Sequence, residues 1–217
     1  MLVVTATSKP ARARRSASRA WFAMRTRSAI HANARSRYNG AMDTEEVVVG
    51  NGCFWCTEAV FQKIKGVVSV EPGYSGGKVV NPTYEQVSTG TTGHAEVIKI
   101  VYEPDTVSFE EILQVFFATH DPTSLNRQGN DVGPQYRSVI FYKNERQKQK
   151  AEHYIMVLNK TMHVQPIVTA VEPFVAFYPA EDYHKKYYEA HKDAPYCQLI
   201  IEPKLEKVET KFKSLLK

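Results

Sequence analysis

Cysteine is scarce in this chain: three in 217 residues, Cys53, Cys56 and Cys197. With no secretory-type leader ahead of them, a disulfide framework is excluded, so a cysteine that matters is a reactive thiol or a metal ligand. Long hydrophobic runs are missing too. None approaches the roughly 18 residues that a membrane-spanning helix needs. Acid is absent from residues 1–42, which carry eight Arg and one Lys before the first carboxylate, Asp43. The whole-chain charge of +5 and pI near 9.0 suggest a nucleic-acid or membrane-surface partner. Setting those nine cations aside leaves 19 against 23 acids, so residues 43–217 sit near −4 and that reading falls. No nucleic acid and no membrane is expected as a partner. Nor is there an internal repeat, and residues 44–217 read as one domain.

Residues 1–43 are rich in Arg, Ala and Ser, the composition of a transit peptide, and predict a mitochondrial or chloroplast address. A basic arm that stays on the protein is the alternative, with a cytoplasmic location. Beyond it the pattern alternates. EVVVG (46–50) reads as a buried strand, 53–65 as a helix stopped by Gly66, and 67–74 and 95–103 as strands. Ser108 and Glu111 form a capping box ahead of ILQVFFATH. A strand at 137–143, a helix at 144–159, a strand at 167–173 and a helical stretch at 180–191 complete the chain. This β-α-β-β-α-β order predicts an α+β, two-layer ferredoxin-like (split βαβ) plait, its mostly antiparallel sheet carrying helices on one face. The loops at 73–94 and 119–136 are too long to be mere connections.

GNGCFWCTEAVF (50–61) sets Cys53 behind a Gly-Asn-Gly turn, with Phe54 and Trp55 beside it. In the first turn of a helix, its thiolate would meet free N–H groups that lower the pKa. A buried, inert thiol is the alternative. GHAE puts Glu96 at the start of an apolar strand, where desolvation makes a carboxyl a general acid. Asp131 and Tyr136 lie in GNDVGPQYRS, and Tyr84 follows Asn-Pro. Phenols donate neutral hydrogen bonds to a polar substrate atom. Each group alone also has an ordinary structural reading.

GCFW (52–55), GYSGG (73–77), NPTYE (81–85), GHAE (93–96) and GNDVGPQYRS (129–138), in that order and at those intervals, resemble the A-type peptide methionine sulfoxide reductases. The likeness runs from about Val47 to Lys207. It implies reduction of the S-epimer of methionine sulfoxide, free or in oxidised proteins, by a monomer with no metal and no bound cofactor. By that resemblance Cys53 attacks the sulfoxide sulfur, Glu96 protonates the departing oxygen, Tyr84 and Tyr136 hydrogen-bond that oxygen, and Asp131 holds a water. Phe54 and Trp55 receive the S-methyl group. Cys53 is left as a sulfenic acid, which a second thiol converts to a disulfide that thioredoxin, or dithiothreitol in vitro, reduces.

The chain departs from the family pattern at Cys56, where glycine is usual, and in a tail, APYCQLIIEPKLEK, that lacks glycine. An i, i+3 pair such as Cys53 and Cys56 lies about 5–6 Å apart, within disulfide range. Cys56 is therefore one candidate for recycling. Cys197 is the other, unless it is a buried strand thiol. Two rival readings remain. A thioredoxin-like dithiol oxidoreductase would use Cys53-x-x-Cys56. A zinc-stabilised module would add His94, His120 or His184, but structural zinc wants four ligands in paired sets.

Overall fold

The protein is described from a computed structural model over residues 43–161 and 165–217; the expected leader, Asp43 apart, lies outside the described residues. In chain order the elements are β1 (Glu45–Asn51), α1 (Phe54–Gln62), β2 (Val67–Ser75), α2 (Tyr84–Ser88), β3 (Ala95–Tyr102) and α3 (Phe109–Ala118). The short strands β4 (Arg127–Gln128) and β5 (Asp131–Val132) come next, then β6 (Ser138–Tyr142), α4 (Glu145–Thr161), β7 (Ala170–Pro173), β8 (Phe177–Pro179), α5 (Tyr187–Ala190) and α6 (Glu202–Lys211).

Six strands form one sheet in the order β7-β6-β1-β3-β2-β8. Every neighbouring pair is antiparallel except β6 and β7. The Val-Val-Val run of β1 is fully buried, as a central strand covered on both faces requires. One face of the sheet, with Val47, Val49, Ile98, Ile100 and Ile140, packs against Phe61 of α1, Ile112 and Phe116 of α3, and Val208 of α6. The other face, with Val48, Val97, Val139 and Phe141, is covered by Phe174 and Phe177. The long helices thus share one side, and the sheet has the mixed α+β character expected.

Several boundaries differ from expectation. The strand foreseen at 167–173 forms only from Ala170 and runs parallel to β6 at the sheet edge. The stretch 180–191 is broken into a 3-10 turn (Asp182–His184) and α5, because Lys186 between them adopts a left-handed φ of 53°. The tail carries a π-helical turn (Cys197–Ile201) leading into α6. Cys197 therefore belongs neither to a strand nor to an open tail, and it is fully buried against the helical core. Within the two long loops lie α2, the β4–β5 hairpin and a 3-10 turn at Pro134–Tyr136.

Candidate active site

β1 delivers the chain to the site through Gly50-Asn51-Gly52, where side chains will not fit. A Cβ on Gly50 would lie 2.8 Å from the Glu96 carbonyl oxygen, and Gly52 has φ +100° with Gln128 2.7 Å from where its Cβ would be. Thr57 ties the turn down by donating to Asn51 Oδ1 and to the Cys53 carbonyl, while Asn51 Nδ2 donates to Thr119 Oγ1 at 3.5 Å. Cys53 is the N-cap of α1, with ψ 126°, one position earlier than expected.

Glu96 is in phase with Ile98 and Ile100, so its side chain turns to the helical face, where α1 begins. Its Oε2 accepts the Phe54 backbone N–H at 3.1 Å, the first free donor of the helix. That bond favours the charged form. Burial at 2% exposure outweighs it, and the nearby Asp131 adds to the push, so the carboxyl rises to about 8. At neutral pH Glu96 is a buried acid that still holds its proton.

The thiols divide unequally. Burial, a hydrogen bond with Cys56 and the neighbouring Glu96 carboxyl hold Cys53 well up, against the expectation that the helix start would lower it. The reason is local: the Phe54 N–H is committed to Glu96, and the thiol is 7% exposed. Cys56 is brought down to about 6, first by its hydrogen bond with Cys53 and then, against burial, by Lys204. Of the two thiols, Cys56 is held the lower. Tyr196 Oη lies 3.7 Å from Cys56 Sγ and donates to Asp131 Oδ2 at 3.1 Å, bridging the thiol pair and the β4–β5 hairpin. Cys197 is next to Tyr196 in sequence, and burial raises its thiol.

Tyr84 starts α2, behind a capping box in which Thr83 and Gln86 satisfy one another. The Tyr84 N–H donates to Glu181 Oε1 at 2.8 Å, and Tyr74 Oη donates to the other oxygen of the same carboxylate at 2.8 Å. Tyr136 ends the 3-10 turn on the opposite loop. Burial raises both Tyr84 and Tyr136, and any charge that forms on Glu96 or Cys53 pushes them further the same way, so the two phenols stay protonated beside the carboxyl and the thiol.

Phe54 and Trp55 form an aromatic wall. Trp55 stacks on Tyr187 at 3.6 Å and 5°, meets Tyr196 edge-on at 5.9 Å, and donates its indole N–H to His184 Nδ1 at 3.1 Å. Phe54 lies 5.9 Å from Tyr74 and 4.9 Å from His184. Glu58, buried on α1, accepts the Lys186 N–H at 2.9 Å and holds that left-handed corner against the helix.

The residues singled out from sequence, Cys53, Phe54, Trp55, Cys56, Tyr84, Glu96, Asp131 and Tyr136, thus converge on the mouth of α1. Tyr196, Tyr187, Tyr74 and Glu181 were missed, and His184 was considered only as a zinc ligand, although the density of Tyr and His between 183 and 196 is a signal of sorts. Of the histidines of the zinc reading, His94 contacts Gly77 and Val79, His120 contacts Phe116 and Ser138, and His184 Nδ1 accepts the Trp55 indole N–H. Among the described residues, no group of three or more His, Cys, Asp or Glu is arranged to hold a metal. A cavity of about 830 Å³ beside α3 and α6, lined by Phe117, Tyr154, Lys207 and Lys211, contains none of the site residues.

Comparison with known proteins points the same way. A family model described as "Peptide methionine sulfoxide reductase" matches residues 45–216. A curated relative of that name from Sulfolobus acidocaldarius is 56% identical over 163 residues, covering 75% of this chain and 92% of its own. One from Thermus thermophilus is 51% identical over 176 residues, covering 81% and 99%. Among solved structures, Mxr1 from Saccharomyces cerevisiae in reduced form is similar at 30% identity and TM-score 0.66, covering 74% of this chain and 92% of that one. Methionine sulfoxide reductase A of Corynebacterium diphtheriae is similar at 36% identity and TM-score 0.63, covering 70% and 77%.

Proposed function

Because the chain belongs to the peptide methionine sulfoxide reductase family, we propose that the site at the mouth of α1 converts the S-epimer of methionine sulfoxide, free or in proteins, to methionine. The observation that carries this is a thiol and a protonated, buried carboxyl in one aromatic-walled site, with two neutral phenols beside them. Cys53 passes its proton to Cys56, the lower of the two thiols, as its sulfur attacks the sulfoxide sulfur. Glu96 gives its proton to the sulfoxide oxygen, which Tyr84 and Tyr136 hydrogen-bond as charge builds there. Asp131 holds a water, and Phe54 and Trp55 receive the S-methyl group. The S–O bond passes to Cys53 as a sulfenic acid, and methionine departs reduced by two electrons.

Recycling then follows the thiol geometry. Cys56, three residues along from Cys53 on α1 and now holding that proton, attacks the sulfenic sulfur; the S–O bond breaks, hydroxide takes the Cys56 proton and leaves as water, and a Cys53–Cys56 disulfide forms. A dithiol protein of the thioredoxin type reduces it, and no bound cofactor is required. Cys197, sealed in the core, is the less accessible candidate. A thioredoxin-like dithiol oxidoreductase is not favoured, since it gives Glu96 and the phenols no work. The four strands β6-β1-β3-β2, with α1 and α3 on one face, support a ferredoxin-like plait extended by one strand at each edge. A monomer, and an organellar address carried by residues 1–43, complete the reading.

The test is incubation with racemic free methionine sulfoxide and dithiothreitol, followed by chiral analysis. Only the S-epimer should disappear; consumption of both epimers, or of neither, overturns the reading.

A further inference from the structure

We infer that Gln135 and Arg137 are positioning residues for sulfoxide reduction. Flanking Tyr136, they clamp its 3-10 turn to the end of α2 and to the entry of β3, and so set Tyr136 against Tyr84 and Glu96. This deepens the proposed function and rests on the reading of the two phenols as donors to the sulfoxide oxygen.

Tyr84 and Tyr136 stand on different long loops. Among the described residues, no backbone hydrogen bond joins 76–94 to 119–137. Two side chains do the joining. Gln135 Nε2 donates to the Ser88 carbonyl at 3.3 Å, at the last residue of α2, one turn on from Tyr84. Arg137 Nη2 donates to the Gly93 carbonyl at 3.1 Å, three residues ahead of Glu96, while its Nη1 holds the Pro134 carbonyl of the turn itself at 3.0 Å. The start of α2 is already fixed by its capping box and by Glu181, so Ser88 is where its other end is held. Gln135 is 4% exposed, and its Oε1 is buried without a partner. An apolar side chain would fill that space with no polar atom left over, so what the amide adds is its donor. Glycines make room for both clamps. A Cβ on Gly90, at φ +74°, would lie 3.3 Å from Gln135 Oε1, and one on Gly76, at φ +83°, would lie 2.7 Å from Arg137 Nη2.

Gln135→Leu removes the donor, and Arg137→Lys keeps the charge but cannot serve both carbonyls. Each should slow single-turnover methionine formation by the prereduced chain about tenfold, with KM for methionine sulfoxide under dithiothreitol within about threefold. A chain carrying both Tyr84→Phe and Tyr136→Phe has no phenol left to misplace, so adding either substitution to it should slow the step by less than about twofold. A general loss of packing would slow both backgrounds alike. Thermal melts identify the folded variants, and where one does not fold the other carries the test. Equal slowing in both backgrounds, or an unchanged rate in a folded single variant of either residue, overturns the proposal. So does failure of both to fold, since the pair would then hold the fold rather than the site. The double phenylalanine chain separates the layers: if it is slow while the clamp variants match the parent, the clamp alone falls. If it is as fast as the parent, the phenols' role and the clamp fall together, and the epimer test still decides the reductase reading.

Discussion

Helices α1 and α3 lie on the same face of the sheet, yet they begin in opposite ways. At α3, Ser108 Oγ accepts the Glu111 N–H at 3.2 Å while Glu111 Oε2 accepts the Ser108 N–H at 2.8 Å, and two acids occupy the first turn. Its start is satisfied by residues within four positions of one another. The start of α1 has Cys53 at the N-cap with no side-chain cap and no acid in the first turn, and its first N–H goes to Glu96, 42 positions away. Where a helix end must present chemistry, local stabilisation is given up and tertiary contacts replace it. Glu96 serves both ends of that exchange, capping the helix and carrying the proton.

The largest expected effect breaks the contrast at its centre. Cys53→Ser should abolish sulfoxide reduction while supplying α1 with a proper cap, stabilising the fold by about 1 kcal/mol in denaturant titration. A destabilised Ser variant would mean that the thiol packing at this position matters more than the missing cap.

Next comes Glu96→Gln, which should slow the sulfoxide-reduction step by about 10²–10⁴-fold. The parent's kcat/KM should fall as pH rises through about 8, where Glu96 loses its proton. Stability should follow the same group. The folded carboxyl keeps its proton to about 8, whereas the unfolded one releases it near 4.5. The stabilisation is therefore complete below the unfolded value and drains away as pH climbs towards 8. Glu96→Gln should flatten that decline, and thermal melts across the window would check it.

Smaller again is Cys56→Ser, which should cut thioredoxin-driven turnover about tenfold or more by removing the nearby thiol, while dithiothreitol-driven turnover persists. A sulfenic acid trappable by dimedone should accumulate in it. Peptide mapping that finds Cys53–Cys197 in the parent would move the recycling role to the buried thiol. The smallest effect belongs to α3: Ser108→Ala should cost about 1 kcal/mol of stability and leave turnover untouched.

The same contrast explains what could be read from sequence. The Ser108–Glu111 box was legible because its signal is local. The chemistry around Cys53 and Glu96 was legible because polar groups stood out in apolar strands and glycine-shaped turns. His184 and Tyr196 were not, since what defines them is contact with Trp55 and Cys56, 129 and 140 positions away, in a stretch with no clean periodicity. The lowered thiol expected at Cys53 failed for a related reason: nothing near it in sequence says that a distant carboxyl claims the helix's first N–H. Helix α6 was passed over because its charged residues masked the two positions, Leu205 and Val208, that it buries.

The borders of the sheet bear on the company this protein keeps. Outermost lie β7 and β8, four and three residues long, each ending at a proline. A reductase acting on oxidised proteins meets chains that are partly unfolded, with extended backbone free to pair. A long open border would recruit those clients as extra strands and turn repair into co-aggregation. Stubs closed by Pro173 and Pro179 offer few hydrogen bonds to a visitor, so a damaged chain finds little to pair with at either border.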